Sequence, residues 1–96
     1  MEQNDINLII KKINNKENMT YMEFIRLIEA GFELQFFYKK HKYGITQFDG
    51  YEFYEWDKEE GYQTYPTIEE FKENININGV KIKEIWQDVK KVDFAD

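Results

Sequence analysis

The chain has 96 residues, with 19 acidic against 13 basic side chains and a formal net charge of -6. It contains no Cys, no Ser, one His (His41), one Arg (Arg26) and one Pro (Pro66), which removes thiol and serine nucleophiles, disulfides, thiolate metal sites and histidine clusters. A chain of this size makes one domain around one core, and no run of 18 or more apolar residues offers a membrane span.

Ile6, Ile9, Ile10 and Ile13 fall at i, i+3, i+4 and i+7, which predicts a short helix opened by Asn4 or Asp5 and ended by Asn14-Asn15. Its other faces carry Lys and Asn, so residues 1–18 read as a helix and loop attached loosely, as a lid, within a single domain spanning 1–96. Thr20 and Glu23 make a capping box that opens a second helix, Tyr21 to Ala30, apolar over most of its circumference and closed by a left-handed Gly31. From Phe32 the period becomes two, giving a strand in which Phe32, Leu34, Phe36 and Tyr38 share a face. Lys39-Lys40-His41-Lys42 reads as a polar turn and Tyr43 to Phe48 as a second strand. Asp49-Gly50 reads as a type I′ hairpin turn, Tyr51 to Trp56 as a third strand, and Tyr62 to Tyr65 as a short edge segment. Thr67 and Glu70 form another capping box, for a helix to about Asn74. After an Asn78-Gly79 turn, Ile82, Ile85, Trp86, Val89 and Val92 predict a last helix. The expected fold is therefore α+β, a three- to four-stranded antiparallel meander sheet flanked by two N-terminal and two C-terminal helices (α-α-β-β-β-(β)-α-α).

The charge is concentrated. Between Phe48 and Glu73 lie nine acids and two bases, a local balance of -7, and the rest of the chain is close to neutral. Such a stretch repels nucleic acid and anionic membranes and favours a basic partner. Twelve of the 17 aromatic residues lie between Phe32 and Tyr65. In the third strand Tyr51 and Phe53 point opposite to Tyr54 and Trp56, so one set belongs to the core. The other set, with Phe37, either faces a second layer of helices or forms an aromatic surface of the kind found at protein interfaces.

Little in the chain suggests catalysis. His41 reads as a solvated turn histidine with no carboxylate beside it, and no Gly-rich phosphate loop is present. Asp57 to Gly61 lacks the alternating ligands of a calcium loop. No catalytic residue, metal site or cofactor is expected. A carboxylate pair drawn from Glu52, Glu55, Asp57, Glu59 and Glu60 is the one enzymatic device left, and a hydrolase built on it ranks a distant third among the readings.

Tyr21-Met-Glu-Phe24 followed by Gly31-Phe-Glu-Leu34, the tyrosines of Phe37-Tyr38 and Tyr43, and the ending Glu69-Glu-Phe71, Ile77-Asn-Gly79 and Lys83-Glu-Ile-Trp86 give the chain from Thr20 to Phe94 a particular look. It resembles the small proteins carried by phages and mobile elements of AT-rich Gram-positive bacteria. Abundant Ile, Asn and Lys fit AT-rich codons. Within that group it is similar to acidic type II-A anti-CRISPR proteins, and the similarity implies inhibition by occupying the DNA-binding channel of a nuclease.

The leading expectation is a non-enzymatic phage or mobile-element accessory protein in the host bacterial cytosol. It binds and inhibits a basic host protein, at a nucleic-acid-binding groove, through Asp49, Glu52, Glu55, Asp57, Glu59 and Glu60, with Tyr54 and Trp56 as anchors and Glu69, Glu70 and Glu73 as a second acidic row. Neither nucleic acid nor membrane is expected to bind directly. A self-associating adaptor domain is the alternative, so both monomer and homodimer stay open.

Overall fold

The computed structural model describes residues 2–95, the side chains of residues 2–5 excepted. Helix α1 spans Glu2–Asn14 and buries Ile9 and Ile13. It starts further upstream than the apolar stripe suggests, and the capping role expected of Asn4 or Asp5 falls on side chains outside the described residues. Helix α2 spans Tyr21–Glu29 and opens with the complete capping box: the Glu23 amide donates to Thr20 Oγ1 at 3.1 Å, and the Thr20 amide donates to Glu23 Oε1 at 2.9 Å. At its far end Gly31, at φ 104°, allows the Gly31 amide to donate to the Ile28 carbonyl and the Phe32 amide to the Leu27 carbonyl. That pair of bonds is the Schellman stop, which needs a residue with no Cβ penalty at positive φ.

Strands β1 (Leu34–Tyr38), β2 (His41–Thr46), β3 (Tyr51–Glu55) and β4 (Gln63–Tyr65) follow as an antiparallel meander. The chain then forms helix α3 (Ile68–Asn74), a small hairpin of β5 (Asn76–Ile77) and β6 (Val80–Lys81), helix α4 (Ile82–Ile85), a 3-10 turn over Trp86–Asp88, and strand β7 (Lys90–Phe94). The fold is α+β, with helices before and after the meander, and the main sheet has five strands in the order β4-β3-β2-β1-β7.

Three local expectations are corrected. The apolar stripe from Ile82 to Val92 is a helix only as far as Ile85; the rest turns extended and pairs with β1, Leu34 opposite Phe94 and Phe37 opposite Lys90. Backbone pairing explains the change, because β7 satisfies the polar groups along the side of β1 that β2 leaves free. The type I′ turn lies at Lys39-Lys40, both at positive φ (49° and 72°), not at Asp49-Gly50, where only Gly50 has positive φ. His41 is therefore the first residue of β2, opposite Tyr38. At α3 only half of the second capping box is present, the Glu70 amide donating to Thr67 Oγ1.

One cluster gathers Ile9 and Ile13 of α1, Phe24, Leu27 and Ile28 of α2, Phe71 of α3 and Ile82 of α4 against Leu34, Phe36, Tyr43, Ile45 and Phe53 of the sheet. Register places those five sheet residues on one face: Leu34 pairs with Ile45, Ile45 with Phe53, and Phe36 with Tyr43. Rings of Phe24, Phe36, Phe53, Tyr43 and Trp86 meet there at centroid separations of 4.7 to 6.0 Å, and the Trp86 indole donates to the Met19 carbonyl at 2.7 Å. The helices thus form one layer on one side of the sheet.

Candidate functional site

The sheet face turned away from the helices is set by the other half of each strand's alternation. Three cross-strand rows cross it. The first holds Trp56, Lys42, Phe37 and Lys90; the second Tyr54, Gly44, Gln35 and Asp93; the third Glu52 and Thr46. Among the described residues of these rows only Gly44 is buried. Trp56 is 42% exposed, Tyr62 beside it 51% and Phe48 91%. Of the two alternatives for this aromatic set, the surface is the one observed.

Gly44 is central to its shape. A Cβ there would stand 2.6 Å from Tyr54 Oη and 2.7 Å from its Cζ, so the absent side chain lets the Tyr54 ring lie down across β2. Tyr62, the last residue of the β3–β4 loop, stacks on that ring at 4.9 Å and an interplanar angle of 11°. Lys42 Nζ sits 4.3 Å above the Trp56 ring. Burial, then Tyr62, Glu33 and Glu52, push the Tyr54 phenol above its ordinary value, so it stays a neutral hydrogen-bond donor at physiological pH.

An open groove of about 680 Å³ runs over this surface, lined by Glu33, Thr46, Phe48, Glu52, Tyr54, Trp56, Asp57, Lys58, Glu59 and Tyr62. Asp57 enters it from a left-handed turn at φ 69° that ends β3. Thr46 Oγ1 donates to Glu52 Oε1 at 2.9 Å and fixes that carboxylate. The groove is a floor of rings with four carboxylates and one ammonium around it.

Of the expected site residues it brings together Glu52, Tyr54, Trp56, Asp57 and Glu59. Asp49 is exposed in the β2–β3 loop. Glu55 belongs to the other face of β3, where it accepts from His41 Nδ1 at 3.0 Å and lies 3.4 Å from Lys58 Nζ; the carboxylate that His41 was expected to lack is supplied across the hairpin. Glu55 and Glu60 line a second recess of about 360 Å³. Glu69, Glu70 and Glu73 are on α3, in the helical layer, exposed. The Lys83 ammonium hydrogen-bonds Glu73 and holds its carboxyl below the usual range. Sequence reasoning missed Glu33, Phe48 and Tyr62. Glu33 continues the alternation of Gln35 and Phe37, a signal that places it on this face; Phe48 and Tyr62 sit in loops, where period carries no such signal.

Among the described residues no group of three or more His, Asp or Glu side chains is placed to hold a metal ion, and no helix is long and apolar enough to cross a membrane. The fold and this face together define a two-layer α+β protein with one uncovered, aromatic and acidic sheet face. No family model, no curated protein and no solved structure matches the chain.

Proposed function

We propose that the chain is a non-enzymatic binding protein whose open sheet face engages a basic surface of a host protein and inhibits it, in the manner expected of phage and mobile-element accessory proteins. The observation that carries this reading is the groove: Tyr54, Trp56 and Tyr62 offer flat apolar contact while Glu33, Glu52, Asp57 and Glu59 surround it with negative charge. Arginine suits such a surface, because its guanidinium stacks on rings and takes bidentate hydrogen bonds from carboxylates. A groove that binds nucleic-acid phosphates presents arginine and lysine in this way, so occupying it excludes the nucleic acid. Rings of this type also stack bases, but the carboxylates around them repel a phosphate backbone.

Fluorescence anisotropy with a labelled arginine-rich peptide tests the reading. The peptide is expected to bind at about 50 mM salt and several-fold more weakly at about 200 mM. Glu52→Lys combined with Glu59→Lys should cost about tenfold or more in affinity, and Glu69→Lys with Glu70→Lys on α3 much less. Equal binding by the groove variant and the parent would sink the proposal.

A further inference from the structure

The open face carries positive charge as well as negative, and the two are unevenly distributed: three lysines and Asp93 gather toward β7 and β2, and four carboxylates and Lys58 line the groove. Lys42 and Lys90 flank Phe37 in the first cross-strand row, and Lys91 Nζ reaches over the Phe37 ring at 5.6 Å. Glu33 and Glu52 lie toward the opposite ends of β1 and β3, and Asp57 and Glu59 lie in the β3–β4 loop with Lys58 between them. In the second row uncharged Gln35, Gly44 and Tyr54 lie between the lysines and Glu33 and Glu52, and Asp93 stands at the β7 end of that row, beside Lys90 and Lys91.

We infer that a second copy of this chain packs on the open face, in a twofold dimer that sets the Lys42, Lys90 and Lys91 corner of each protomer on the carboxylates of the other. The symmetry permits it. A twofold axis in the plane between two facing sheets, perpendicular to the line from basic to acidic corner, brings unlike corners together at both ends, as an isologous interface requires. The central rings then gain the second layer that a sheet face otherwise lacks. Five strands about 4.8 Å apart and about five residues long make a face roughly 20 by 17 Å, about 340 Å² per protomer, which is less than a stable interface buries. The dimer is accordingly weak and reversible. It goes beyond the proposed function, because it covers the groove and makes a basic partner compete with a second copy.

Sedimentation equilibrium on the protein alone tests this without any partner, so its failure and that of the peptide-binding reading are separate results. The parent should pass from monomer to dimer as its concentration rises, and less so in high salt. Two variants complete the test: Glu33→Lys, Glu52→Lys, Glu59→Lys in one chain and Lys42→Glu, Lys90→Glu, Lys91→Glu in another. Each should stay monomeric while keeping its circular-dichroism spectrum, and the two mixed should form a heterodimer about tenfold or more tighter than the parent dimer. A parent that stays monomeric at millimolar concentration overturns the inference. So does either variant dimerising like the parent, or a mixture of the two folded variants that does not associate.

Discussion

Gly44 has no side chain of its own in the groove, yet it sets the groove's shape. Its missing Cβ gives the Tyr54 ring the space to lie across β2 and reach Tyr62. Gly44→Ala drives a methyl into the end of that ring, and the ring is the part free to move. Denaturant unfolding should show a loss of about 1–2 kcal/mol, the usual cost of added volume at a packed position, with far-UV circular dichroism unchanged. A variant as stable as the parent would mean that Tyr54 does not rest on β2. This dependence was not legible in the sequence, because a glycine in a strand signals a close approach without naming what approaches. The shared face of Tyr54, Trp56 and Phe37 was legible, since alternation alone fixes it. His41 was misread for a reason of the same kind. Two lysines take the positive φ values that Asn and Gly normally supply at a type I′ turn, and moving the turn carries His41 into the ladder, within reach of Glu55.

Helix α2 is the element that the sequence specifies most fully, with a reciprocal cap at one end and a Schellman stop at the other. Its charge also ties α1 to the core. Lys12 Nζ donates to both carboxylate oxygens of Glu23, at 2.9 and 2.8 Å. Burial alone raises the Glu23 carboxyl, but the bonds from Lys12 and Thr20 outweigh it and hold the group below its ordinary value of 4.5. A carboxyl depressed by folding stabilises the native state above its unfolded value and loses that contribution as pH falls through the folded value. Glu23→Gln should therefore cost about 1 kcal/mol in urea unfolding at pH 7, the scale of a lost cap. The gap from the parent should narrow steadily once the pH drops below 4.5. A gap unchanged on acidification would contradict the assignment. At the other end of the chain, the stripe from Ile82 to Val92 satisfied a helical period and still became a strand beyond the 3-10 turn. The competing demand came from β1, whose partners in β7 lie 53 to 60 residues away in sequence, and no local pattern carries it.

Across the whole molecule, the acidic stretch found in the sequence is divided by the fold. One part, Glu52, Asp57 and Glu59, joins Glu33 on the open face. A second, on α3, lies in the helical layer, where Glu73 is held by Lys83. Composition alone could not separate them, because a strand and the helix after it share a charge run in sequence while belonging to different layers. The central claim is that the open face, and not the helical acids, receives a basic partner. The two tryptophans report on this directly, since Trp56 is in the groove and the Trp86 indole is tied to Met19. The decisive measurement is a two-dimensional 1H–15N NMR titration with an arginine-rich peptide at low salt and low protein concentration. The Trp56 indole and the amides of Glu52, Tyr54 and Glu59 should shift together, with the Trp86 indole and α3 left in place. Shifts confined to α3 around Glu69 and Glu70, or a Trp56 indole that does not move, would contradict it.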